Sequence, residues 1–257
     1  MAPHVELIAV RGLPEIGPGD PVGELIAGAL ASCGGELRAG DVVVISQKVV
    51  SKAEGRVRDL SRIEPGARAR ELARRLGKDP RLVELVLAES RELIRAEHGV
   101  LIVETRGGSV CANAGVDASN VPGDDRVALL PEDPDASARR LRAEFAAASG
   151  TSPGVVIADS FGRPWRLGQT DVAIGCAGLT PLDDRRGQTD REGRELAVTE
   201  IAIADEVAAA ADLARAREGG IPACVVRGLE EFVSVDDGPG ARALRRPSAD
   251  DLFRQRD

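Results

Sequence analysis

The stretch Gly154 to Gln169, GVVIADSFGRPWRLGQ, decides how the rest of the chain is read. It opens with a short apolar run of the kind that forms a buried strand, and Asp159 stands where that run ends. Open α/β sheets place ligands at the carboxyl ends of their strands, so Asp159 is expected at a site rather than in a core. The residues that follow hold the only tryptophan of the chain, Trp165, with Arg163 and Arg166 on either side. Aromatic content is 2% and there is no tyrosine, so this concentration reads as a recognition element. The plainer alternative is a tryptophan buried as a cap on the core.

A second stretch has the same form. Val110 to Asn120 (VCANAGVDASN) sets Asp117 among alanine, glycine, asparagine and serine. Small residues let a backbone come close to a ligand, and carboxylates beside amides and hydroxyls suit a hard, oxygen-seeking cation. An Asx-rich turn without further role explains the composition equally well. Asp41 to Ser46 (DVVVIS) is a second buried strand, continued by QKVVSKAEG. Lysine occurs three times among 34 basic residues, at Lys48, Lys52 and Lys78, and two of the three fall in this one segment. A lysine ammonium is a compact charge that can follow a phosphate, although a solvated loop would also carry such residues. The loop GLPEIGPGDP (Gly12 to Pro21) is a turn, or a place where backbone amides approach a nucleotide, and it matches no phosphate-loop pattern.

Around these stretches the pattern predicts a mixed α/β chain of the α+β class. Strands are expected at His4 to Val10, Glu92 to Ala96, Val100 to Thr105, Val172 to Gly175 and Ile221 to Arg227. Helices are expected at Val22 to Ser32, with Asp20 as cap and Pro21 in the first turn, and at Gly66 to Leu76, Pro80 to Ser90, Asp135 to Ala148 and Glu200 to Arg217. The polar loop containing Asp183, Asp184, Arg185, Arg186 and Asp190 is long enough to suggest a flap over substrate or a subunit contact.

Composition narrows the chemistry. The net charge of -8 disfavours a binder that works by neutralising nucleic-acid phosphates. No apolar run reaches the roughly 20 residues that span a bilayer, and the first residues do not resemble a signal peptide, so a cytoplasmic chain is expected. Cys33, Cys111, Cys176 and Cys224 are widely spaced, which argues against a zinc site. Two histidines, His4 and His98, leave little for a nitrogen-ligated metal or a histidine-dependent nucleophile. The work falls to carboxylates, amides, lysines and arginines.

Four motifs, GDVVVISQKVVSKAEG (Gly40 to Gly55), VCANAGVDASN, DSFGRPWRLGQTDVAIG and GIPACVVRGL, occur in an order and spacing that resembles the coenzyme F420-0:gamma-glutamyl ligase family. The resemblance spans His4 to Val235. It implies a ligase domain over residues 1–235 with a tail or linker over 236–257, and an α+β fold that forms an intertwined homodimer. It also implies a GTP-dependent enzyme that joins the amine of glutamate to a carboxylate of the deazaflavin precursor through an acyl phosphate. Manganese or magnesium would be required, and whether potassium contributes stays open. By the same resemblance Asp117 and Asp159 hold the first metal and Ser160 serves a second, at a position where threonine is common. Asn120, Gln47, Lys48, Lys52 and the loop Leu13, Pro14, Glu15 and Ile16 contact the nucleotide; Asp117, Asp159 and Lys52 carry the catalysis. Arg163, Arg166 and Gln169 are candidates for the precursor or for glutamate. Ala216 falls where a polar ligand to the second metal is expected. Actinobacterial members are often fused to a nitroreductase-like domain. Two other readings remain open: an amide ligase for a different carboxylate or amino acid, and a nucleotide- or metal-binding module without turnover.

Overall fold

The computed structural model describes residues 4–119, 121–215 and 220–253. At its centre five strands form one sheet in the order β1 (Glu6–Val10), β12 (Ala223–Arg227), β2 (Val42–Ser46), β8 (Gly154–Arg163) and β9 (Arg166–Ala177). β2 and β8 run parallel, and the other neighbours are antiparallel.

Both faces of this sheet are buried, which explains why its central strands read as continuous apolar runs rather than alternating ones. Successive side chains leave a strand on opposite faces. Val43, Ile45, Val155, Ile157 and Val225 therefore pack on one side against Ile26 and Leu30 of α1 (Val22–Ser32) and Leu141 and Phe145 of α5 (Pro134–Ser149). Val42, Val44, Val156, Cys224 and Val226 point the other way, onto Ala204, Val207, Ala208 and Ala211 of α6 (Ile203–Arg215). Small alanines let α6 lie close to the strands.

A second core is built separately. β4 (Ser90–Glu97), β5 (Val100–Thr105) and β6 (Val110–Ala112) form an antiparallel sheet covered by α3 (Ala67–Leu76) and α4 (Pro80–Ala88). α4 starts as its sequence dictates: the Asp79 carboxylate accepts the Arg81 N–H and Pro80 fills the first turn. A short ribbon of β3 (Val57–Asp59) and β7 (Arg126–Ala128) leads back to the central sheet, as does α2 (Gln47–Ala53), which follows β2 directly.

The mixed α/β class is as expected, with differences in detail. α1 has the expected ends, yet Asp20 does not cap it: Pro21 occupies the cap position, and the Asp20 carboxylate accepts the Gly17 N–H at 2.8 Å, closing the loop before it. The strand expected to stop at Ala158 runs on to Arg163, and that expected from Val172 begins at Arg166. The two pair as one long hairpin, whose outer part leaves the body as an arm. Trp165 at its tip is 77% exposed, so it does not cap the core. α6 begins at Ile203 because Glu200–Ile201 forms β11, which pairs with β10 (Asp183–Asp184) at the base of the polar loop. Beyond residue 235 the described chain makes contacts with the body at Asp237 and Ala241. Asp237 pairs with the buried Arg142, and the Ala241 N–H donates to the buried carboxylate of Asp135 at 2.7 Å. No helix among the described residues is long and apolar enough to cross a membrane.

Candidate active site

The parallel pairing of β2 and β8 sets Ser46 beside Ala158, so β2 ends where β8 passes beyond its parallel partner. Each hands its next residues to one place: β2 gives Lys48 and Lys52 on α2, and β8 gives Asp159 and Ser160. The antiparallel β12 starts at that edge, bringing Gly220, Ile221 and Pro222. Opposite stands the turn that follows β6. These elements enclose a cavity of about 990 Å³ walled by Glu15, Lys48, Lys52, Asp117, Asp159 and Ser160 among others.

The turn at Asn113–Gly115 is unusual. Asn113, Ala114 and Gly115 all take positive φ, at 51°, 54° and 68°. Non-glycine residues adopt this region at a cost, and three in succession invert the backbone. The inversion leads into Asp117, whose backbone pairs with Ala128. A side chain at Gly115 would stand 2.6 Å from Leu130 Cγ, so both the conformation and the space call for glycine.

Asp117 and Asp159 sit in contrasting surroundings. Burial pushes Asp117 up, but hydrogen bonds from Lys48 and Ser119 outweigh it and hold the carboxyl below its usual range. Lys48 Nζ lies 2.7 Å from Asp117 Oδ2 and 2.5 Å from Ser119 Oγ. Asp159 has no such side-chain donor among the described residues. Burial lifts it to about 7 against the Ser160 N–H and the Lys48 ammonium, with the Asp171 and Asp117 carboxylates adding to the rise. A carboxyl in that state readily exchanges its proton for a cation. The donors thus fit a hard divalent ion: two carboxylates of the same cavity, one short of positive charge, and a hydroxyl beside them. Among the described residues no three His, Cys, Asp or Glu side chains converge as a metal cluster. The protein offers a sparse oxygen set of the kind that phosphate oxygens and water complete around magnesium or manganese.

The other residues singled out in the sequence divide. Glu15 and Ile16 line the cavity, and Lys52 Nζ meets Glu15 Oε1 at 2.6 Å. Leu13 packs against the core and Pro14 faces solvent. Gln47 is fully buried in α2, where its Oε1 accepts from Ser51 and its Nε2 has no partner among the described residues, and its side chain is not part of the cavity wall. Gln169 lines the cavity, whereas Arg163 and Arg166 sit on the exposed arm outside it, Arg163 donating to the Leu167 carbonyl. Asn120 and Ala216 lie outside the described residues.

Three wall residues went unnoticed in the sequence: Asp171, Asp212 and Arg215. Asp171 and Arg215 are buried and paired, and burial, with Asp171 nearby, raises Asp212. A lone aspartate inside the apolar strand TDVAIG and an arginine closing an alanine-rich helix were the available signals. Either would be costly to bury without the other.

Carboxylates and lysines gathered at the ends of a parallel strand pair, in a roomy cavity, are the arrangement of an α/β enzyme that handles small charged molecules. Comparison with known proteins makes this specific. Residues 12–228 match the model of the F420-0:Gamma-glutamyl ligase family, and the chain belongs to that family. It is 46% identical over 252 residues to the coenzyme F420:L-glutamate ligase of Methanothermobacter thermautotrophicus, covering 97% of this chain and 99% of the relative. The enzyme of the same name from Methanopyrus kandleri is 47% identical, with 93% and 94% covered. That from Haloarcula marismortui is 42% identical, with 98% and 96% covered.

Proposed function

We propose that this chain joins the amine of L-glutamate to a carboxylate of coenzyme F420-0 at the expense of GTP. One observation carries the reading: Asp117, Asp159, Lys48 and Lys52 converge on a single cavity in a chain 46% identical, nearly end to end, to a coenzyme F420:L-glutamate ligase.

A free carboxylate is a poor acyl donor. In the proposed route its oxygen bonds to the γ-phosphorus of GTP, the bond from that phosphorus to the β-bridging oxygen breaks, and GDP leaves an acyl phosphate behind. The glutamate amine, having shed a proton, then bonds to the acyl carbon as inorganic phosphate departs, giving the amide. Catalysis of this kind rests on positioning and on charge. Lys48 and Lys52 supply compact positive charge to the phosphates, and the turn at Asn113–Gly115 fixes Asp117 opposite Asp159. Asp117 and Asp159 would hold a divalent ion, manganese or magnesium, and the Ser160 hydroxyl a second; bound there, such ions offset phosphate charge and favour in-line transfer. Gln169 at the wall, with Arg163 and Arg166 farther out, offers donors to the acidic substrates.

A cytoplasmic homodimer belongs to the same proposal. The β8–β9 arm, with Trp165 and Leu167 at 77% and 97% exposure, presents the apolar surface that a second copy would cover. Sedimentation over a range of concentrations tests it.

The decisive experiment is mass spectrometry of the deazaflavin after incubation with glutamate, GTP and manganese. Glutamate-sized increments that vanish without GTP are expected. An unchanged mass would sink the proposal, and equal yield with ATP would remove the GTP requirement.

A further inference from the structure

In the β8–β9 hairpin Ser160 and Asp171 face each other across the ladder. Ser160 Oγ donates to Asp171 Oδ1 at 2.6 Å. The other oxygen, Oδ2, accepts from Arg215 Nη2, and Arg215 is held in turn by the Pro222 carbonyl at 3.4 Å. Asp171 and Arg215 are 3% and 6% exposed. The β8–β9 hairpin and the end of α6, 44 positions on, thus meet in one chain of contacts, whose only hydroxyl is at the cavity wall.

We propose that Asp171 is a positioning residue that aims the Ser160 hydroxyl. This rests on the reading of Ser160 as a metal ligand. A serine hydroxyl has one proton and two lone pairs and rotates freely unless something fixes it. A carboxylate at 2.6 Å takes the proton in a charge-assisted bond. The lone pairs must then point away from Asp171, and the oxygen becomes a better donor to a cation because its proton is committed elsewhere. Arg215 completes the device. Bare, Asp171 would compete with Asp117 and Asp159 for the cation and would be costly to bury. With its second oxygen bound to a guanidinium it orients the hydroxyl without acting as a ligand. The cavity therefore has carboxylates of two kinds: Asp117 and Asp159, which bind, and Asp171, which aims.

The test is the Mn2+ affinity of the intact chain, read as the free-ion signal in electron paramagnetic resonance with a non-hydrolysable GTP analogue at a fixed saturating concentration. Because Asp171→Asn alone strands a buried guanidinium, Asp171→Asn is combined with Arg215→Met so that both charges leave together. Ser160→Ala and the Asp171→Asn/Arg215→Met pair should each weaken the same Mn2+ by about tenfold, the low end for loss of a ligand's supporting partner. The triple variant should be no weaker than either, and Ser160→Thr, which keeps the hydroxyl, should bind as wild type does. A triple variant in which the losses multiply would overturn the inference, as would a charge-removed pair with unchanged affinity. Wild-type protein that takes up no Mn2+ beyond what the analogue holds would overturn the metal reading itself, a result distinct from the other two.

Discussion

Lys48 Nζ lies 2.7 Å from Asp117 Oδ2, so one of the two facing carboxylates has a resident counter-charge while the other, Asp159, is left short of one. This asymmetry makes the two aspartates differ in what their removal does, although both should be indispensable to turnover.

Asp117→Asn and Asp159→Asn should each abolish glutamate addition, measured as product mass, and leave the circular dichroism spectrum unchanged. Their side chains face the cavity rather than the core. Turnover at the wild-type rate in either variant would remove that residue from the site.

The pH dependence of stability should single out Asp159. Its folded pKa is about 7, against roughly 3.9 in an unfolded chain. Between these values the native state holds more protons than the unfolded one, so metal-free stability falls as pH rises through the window. Asp159→Asn removes the buried charge. It should flatten that fall and stabilise the metal-free protein above the window by on the order of 2–4 kcal/mol. Urea denaturation at several pH values measures it, and parallel curves for the two proteins would contradict the assignment.

Lys52→Ala removes a cation from the wall of the cavity beside Glu15. The apparent KM for GTP should rise by roughly ten- to a hundredfold, the span given by a hydrogen bond to a charged group, with the KM for glutamate little changed. An effect confined to glutamate would assign this segment to the other substrate.

Gly115→Ala must place a methyl group 2.6 Å from Leu130 Cγ at a φ of +68°. A loss of about 1–3 kcal/mol is expected from overpacking alone, read as a lower urea midpoint, together with weaker activity because the same turn sets Asp117.

Trp165 is the only tryptophan, so its emission reports on the arm and on its contact with Phe253, whose ring centroid lies 5.8 Å away. Dilute protein should emit at the long wavelength of a water-exposed indole. If a second copy covers the arm, emission shifts to the blue as concentration rises; constant emission across the dimer transition would place the interface elsewhere.

How much was legible in the sequence follows from what each residue packs against. The β-branched run at Val42–Ser46 and the capped helix at Pro80–Ala88 are specified locally, and their ends fall close to where the pattern puts them. Asp159 was visible because an apolar strand ends at it. The arm was not visible, since Gly162 to Gly168 face solvent and carry none of the alternation that burial imposes. The pairing of Asp171 with Arg215 joins residues 44 positions apart. No local pattern encodes such a partner; only the cost of burying either charge alone points to it.

The strand that delivers Asp159 and Ser160 does not end at the cavity but continues as the arm. Reacting edge and protruding tip therefore belong to one hairpin, braced at its root by the Ser160–Asp171 contact and shifted in register between Gly162 and Arg163. Outer contact and inner chemistry thus share a single covalent neighbourhood: Trp165 and Leu167 stand five to eight positions along the chain from Asp159 and Ser160.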